Sequence, residues 1–150
     1  MTTKLSTAAL DTIKAKAGVP AYDRSQLTAG IVHFGVGNFH RAHQAVYLDD
    51  LFNAGFDRDW AIIGAGVLPS DATMRAKLAA QDFLTTVVEQ DNNRTGAHVT
   101  GAMIDYLEPG DVAGIVARLA DPSIRIVSLT ITEGGYFIDA ATGHFSTHFP

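Results

Sequence analysis

A five-residue run, "GIVHF" from Gly30 to Phe34, meets two glycines spaced two apart, Gly35 and Gly37, and a helical pattern follows at once. Few folds accommodate that order. A short β-rich run stopped by glycine reads as a buried strand. From Phe39 to Ala54, the residues Ala42, Ala45, Val46, Leu48, Leu51 and Phe52 recur at helical spacing, and Gly55 is placed to end the helix. A strand that turns tightly into a helix opens a βαβ unit, and such units build parallel sheets covered by helices.

The same alternation continues downstream. "WAIIG" (60–64) is a second strand, and "SDATMRAKLAAQ" is a helix capped by Ser70 or Asp71. "FLTTVVE" and "HVTGAMIDYL" read as strands joined in a hairpin across 91–96. "DVAGIVARLA" is an amphipathic helix between Pro109-Gly110 and Asp121-Pro122. "IRIVSLTIT", Ile124 to Thr132, is the longest strand, and its near-continuous apolar character predicts a central position covered on both faces. Residues 1–18 could form a short peripheral helix through Leu10, Ile13 and Ala17, ended by Gly18 and Pro20. The order predicts an open α/β sheet with right-handed crossovers.

Composition narrows the partners. With 150 residues and 47% apolar content, one domain with a substantial core is expected. Sixteen acidic and eleven basic residues give a net charge of -5, which argues against a nucleic acid or an anionic membrane as partner. No run approaches the roughly 18 apolar residues of a membrane span, and the first 30 residues lack the apolar stretch of a secretory signal. Cysteine is absent, which excludes disulfides and thiolate zinc sites and fits a cytoplasmic protein.

The glycine corner carries the chemistry. The first N–H groups of a helix have no partners within it, and with the helix dipole they suit a diphosphate. Gly35 permits the tight turn, and Gly37, having no Cβ, lets a phosphate approach the backbone. Where a third glycine would complete the dinucleotide fingerprint the chain has His40, within a cluster of Phe39, His40, Arg41, His43 and Gln44. The alternative reading is a strand-to-helix corner without a ligand. Asp57 and Asp59 precede the second strand and so sit at the wrong end of the sheet to meet a ribose. Asp71 is the first acid after that strand, and it favours NAD over NADP unless it is a plain helix cap. Metal binding by His33, His40 and His43 lacks a supporting carboxylate or cysteine at ligand spacing, so no metal is expected. "TITEGGY" follows the last strand at its C-terminal end, where Thr130, Thr132 and Glu133 either meet a cofactor or form a polar exit.

"GVGNFHRAHQA" together with "SLTITEGGY" resembles the polyol-specific long-chain dehydrogenase/reductase family. The resemblance runs from about Ile31 to the end of the chain and includes "GAGVLPSD". It implies a Rossmann-type domain over 30–150, an N-terminal extension over 1–29, and a mostly helical catalytic domain outside this chain. Cofactor contacts are then expected from Phe34, Gly35, Val36, Gly37, Asn38, Phe39, His40 and Arg41 at the turn. Ser70 and Asp71 match the family's coenzyme-selecting acids, with serine in place of the first acid. The implied activity is NAD-dependent interconversion of D-mannitol and D-fructose by hydride transfer without a metal. Fructuronate, sorbitol and arabinitol enzymes are the alternatives within the family. The general-base lysine is expected downstream of position 150, so these 150 residues alone are expected to be inactive. A non-catalytic nucleotide-binding module is the reading from another class.

Overall fold

The structure, a computed structural model, describes residues 3–131, 138–139 and 141–145. Its elements in chain order are α1 (Leu10–Ile13), β1 (Ala29–Phe34), α2 (Ala45–Asn53), β2 (Ala61–Ala65), α3 (Pro69–Ala79), β3 (Thr85–Gln90), β4 (Thr95–Thr100), β5 (Met103–Tyr106), α4 (Val112–Leu119) and β6 (Ile126–Leu129). A π-helical turn over His40–Gln44 leads directly into α2, and a 3-10 turn over Thr7–Ala9 leads into α1. Four strands form a parallel sheet in the order β5-β2-β1-β6, while β3 and β4 make a separate antiparallel ribbon. No helix is long and apolar enough to cross a membrane among the described residues.

Alternation along the strands builds two packed layers. Ile31, Ile62 and Met103 point to one face, where Val36, Ala45, Leu78 and Tyr106 join them. Val32, Ile63 and Ala65 point to the other and meet Ile104, Leu107, Leu119 and Ile124. Every residue of β2 is buried, which explains its unbroken apolar sequence: a strand flanked by strands and layered on both faces has no solvent side.

Two strand expectations are corrected. "HVTGAMIDYL" is not one strand, because the chain leaves the ribbon at Gly101-Ala102 and enters the parallel sheet as β5. The buried corner is possible because side chains satisfy its backbone. Asp49 accepts the Gly101 N–H at 2.7 Å, and Arg24 Nε donates to the Gly101 carbonyl at 3.0 Å. The last strand is also neither the longest nor central. Among the described residues β6 spans four residues at an edge and pairs only with β1, which takes the central place beside β2. Ile126, Val127 and Leu129 are exposed, 44 to 60%. Leu119 of α4 and Ile124, just before this strand, pack against the same core cluster.

Two helix starts also differ from expectation. Leu68, not Ser70 or Asp71, occupies the N-cap of α3, and the Asp71 carboxylate reaches back to accept the Leu68 N–H at 2.9 Å. On α2 and the preceding turn, Ala42 is exposed, whereas His40 and Asp49 share the buried face with Ala45 and Phe52. Asp49 is held there by Tyr22, by Asn53 Nδ2 at 2.9 Å and by the Gly101 amide, so its charge is fully hydrogen-bonded. Through Tyr22 and Arg24 the N-terminal segment is stitched to the sheet, Arg24 also donating to the Met103 carbonyl at 2.9 Å.

Candidate dinucleotide site

β1 delivers the chain to its C-terminal edge, where Gly35 adopts φ +87°, a conformation open to glycine. The Gly35 N–H donates to the Ala65 carbonyl at 3.3 Å, which ties the turn to β2. Val36 is buried in the main core and acts as an anchor. The Gly37 N–H donates to the Gly35 carbonyl at 2.7 Å, and Arg41 N–H closes the first helical bond onto the Gly37 carbonyl at 3.2 Å. The amides of Asn38, Phe39 and His40 precede that bond and have no helical partner. These three, not the Gly37 amide, are the donors the corner can offer an anion. Among the described residues, a Cβ built on Gly37 would find nothing nearer than the Gly35 oxygen at 3.8 Å, so they leave the approach to the turn open.

Arg41 folds back over the same turn. Its Nε donates to the Gly37 carbonyl at 3.2 Å and its Nη2 to Asn38 Oδ1 at 2.7 Å, which places a positive charge beside the three amides. Phe39 stands out from the surface at 63% exposure, with His43 packed against it at a ring separation of 5.1 Å. His40 points the other way. It is fully buried, so a ligand at the corner can meet its backbone but not its ring.

The histidine cluster divides accordingly. His40 stacks on His33 of β1 with centroids 4.2 Å apart and planes 14° from parallel. The π-turn begins at His40, and its wider winding makes room for a ring where the dinucleotide fingerprint has a glycine. Burial pushes His40 down to about 4, with smaller contributions in the same direction from His33 and Arg41 and an opposing one from Gln44. Burial also lowers His33. Both rings are therefore neutral at neutral pH. Among the described residues, no group of three or more His, Asp or Glu side chains converges in a way that could hold a metal ion.

Thr130 lies beside the turn: its N–H donates to the Phe34 carbonyl at 3.0 Å, and its carbonyl would stand 3.2 Å from a Cβ on Gly35. Phe34 itself packs into the core on the α4 side. Asp71 and Ser70 stand past the C-terminal end of β2, on the same edge of the sheet as the glycine turn. One carboxylate oxygen of Asp71 caps α3. Arg75, the nearest cation, is engaged elsewhere: Nη1 pairs with Glu108 at 3.2 Å and Nε donates to the Tyr106 carbonyl at 2.9 Å. Asp59 lies at the opposite end of β2, paired with Arg125 at 3.0 Å. Thr132 and Glu133 lie outside the described residues. Sequence reasoning missed Gln44 and Ser128 as partners of the histidines; only the placement of polar residues on inward-facing positions pointed to them.

A strand, a glycine turn and a helix at the C-terminal edge of the parallel β5-β2-β1-β6 sheet match a known domain. The family model of the mannitol dehydrogenase Rossmann domain matches residues 29–148. The chain belongs to the mannitol dehydrogenase family. Within that family, mannitol 2-dehydrogenase of Cereibacter sphaeroides is 59% identical over 130 residues, covering 86% of this chain and 27% of that protein. The Pseudomonas fluorescens mannitol 2-dehydrogenase, solved as a ternary complex with NAD and D-mannitol, superposes with a TM-score of 0.87 at 45% identity. That match covers 99% of this chain and 30% of the other. A D-sorbitol dehydrogenase in substrate-free form gives 0.80 at 40% identity, covering 95% and 30%. The chain thus spans under a third of the length of these family members.

Proposed function

We propose that this chain forms the cofactor-binding part of an NAD-dependent dehydrogenase interconverting D-mannitol and D-fructose. The observation that carries the reading is the corner at Gly37, open among the described residues, where three amides without a helical partner and the Arg41 guanidinium converge. A diphosphate matches that donor set in charge and in number of acceptors. The amides of Asn38, Phe39 and His40 would hold it, and Thr130 would border it. Asp71, with one oxygen not used in capping α3, would accept from a ribose hydroxyl. Because Arg75 is committed to Glu108 and Tyr106, it is poorly placed to meet a 2′-phosphate, which supports NAD over NADP.

Bound NAD would supply the hydride acceptor; this chain's residues would bind and orient it. Removal of the substrate proton falls to residues outside the chain. Lys4, Lys14 and Lys16 lie in the N-terminal segment and Lys77 on α3, and none belongs to the glycine corner. The solved complex with D-mannitol and NAD supports this substrate pair, while the likeness to a D-sorbitol dehydrogenase supports sorbitol as the second reading.

The test is a titration of the full natural protein with NADH, followed by a panel of fructose, fructuronate, sorbitol and arabinitol against mannitol. Saturable NADH binding with fastest turnover of mannitol and fructose is expected. Preference for the sugar acid would overturn the substrate assignment, and NADH binding without any turnover would point to a nucleotide-binding module. Asp71→Ala should erode selectivity for NAD over NADP; an unchanged ratio would remove Asp71 from that role.

A further inference from the structure

Beneath the glycine corner lies a polar chain that cofactor contact alone does not explain. Its protons can be assigned from one end. The Gly35 carbonyl can only accept, so His33 Nε2, 3.3 Å away and 3.1 Å from Thr130 Oγ1, carries the hydrogen. In a neutral ring His33 Nδ1 is then an acceptor, and the Ser128 hydroxyl donates to it at 2.8 Å. Ser128 Oγ in turn accepts from Gln44 Nε2 at 3.4 Å, and Gln44 Oε1 accepts from His40 Nδ1–H at 3.0 Å. The donors run one way, from His40 through Gln44, Ser128 and His33 to the Gly35 carbonyl. Stacking of the two rings closes the loop. Among the described residues His40 Nε2 is buried without a partner, so the ring is held by its stacked face and its other nitrogen.

We propose that His33, Gln44, Ser128 and His40 are positioning residues for the diphosphate site. The Gly35 carbonyl receives the Gly37 N–H on one side and His33 on the other, so the chain fixes the peptide that sets where the helix amides point. It also fastens β6 and the Thr130 exit to the turn, joining the two segments that border the cofactor corner. None of the four side chains needs to touch the ligand. This inference rests on the turn being the diphosphate site.

The experiment measures ADP-ribose and adenosine binding to the full natural protein by NMR or by competition with NADH. Ser128→Ala and Gln44→Met cut the chain at different links, and Ser128→Thr keeps the hydroxyl. Both cutting variants should bind ADP-ribose about fivefold or more weakly, adenosine within about twofold of wild type, and Ser128→Thr should restore ADP-ribose binding. Unchanged ADP-ribose binding in folded cutting variants would overturn the inference while leaving the proposed function intact. Equal loss of both ligands would reduce the chain to general support of the fold and also overturn it. A wild type that binds neither NADH nor ADP-ribose would remove the proposed function, and this inference with it.

Discussion

Burial of an imidazole acts in one direction where, among the described residues, no carboxylate lies against it, and His40 is pushed from the ordinary value near 6.5 down to about 4. His33 faces it from β1 and Arg41 from its own helix, and both oppose a second charge. Among the described residues, β6 and the position after it bring the uncharged Ser128 and Thr130, and the nearby β3 brings the exposed Glu89. Between pH 6.5 and 4 the unfolded chain binds a proton that native His40 refuses, so this residue's share of stability falls as the pH drops through that window. Below the lower value the loss reaches about 3 kcal/mol. Urea midpoints at pH 7 and pH 5 should therefore differ more in wild type than in His40→Asn, which keeps a donor for Gln44 but cannot titrate there. Identical pH dependence in the two proteins would show that native His40 protonates normally. At Gly37 the same scale gives a cleaner separation of fold from ligand. Among the described residues an added methyl meets no atom closer than 3.8 Å, so Gly37→Ala should fold as wild type. NADH affinity should nonetheless drop about tenfold, or about 1.4 kcal/mol, because the methyl stands where a phosphate must approach. Retained affinity would move the diphosphate away from this turn.

Among the elements, β1 and β2 carry the fold, and Ile62 of β2 is fully buried between Ile31, Met103 and the helices above them. Ile62→Ala should cost about 2–5 kcal/mol in denaturant unfolding with NADH binding kept at low denaturant. A loss under about 1 kcal/mol would mean the layer collapses around the gap. These two strands were legible in the sequence because burial on both faces leaves an unambiguous apolar signature, and glycine marks both exits. The hairpin was legible from its polar turn. The break at Gly101 was not, since its buried backbone is satisfied by Asp49 and Arg24, 52 and 77 residues away in sequence. The π-turn was equally hidden: it answers the stacking of His40 on His33, a contact between a strand and a helix that no periodicity encodes. At the candidate site, the glycines and Asp71 could be read from local spacing. The dependence of the turn on Ser128 could not, because it arises only when β6 pairs with β1.

The sheet of the whole molecule is unequally protected at its two edges. Among the described residues neither β5 nor β6 has a strand on its outer side, but Met103 and Tyr106 of β5 are buried whereas Ile126, Val127 and Leu129 of β6 are exposed. Val112 and Val116 of the neighbouring α4 are also exposed, at 69 and 58%. An unpaired strand edge with apolar side chains is a template for another chain. These 150 residues should therefore self-associate through β6. Light scattering over a concentration series is expected to show growth in mass, and Leu129→Lys should return the protein to a monomer by placing a charge on that edge. Growth that persists in Leu129→Lys but vanishes in a variant charged on α4, such as Val116→Lys, would relocate the contact to the helix. A Leu129→Lys variant that remains folded and monomeric would place the self-association contact on the β6 edge.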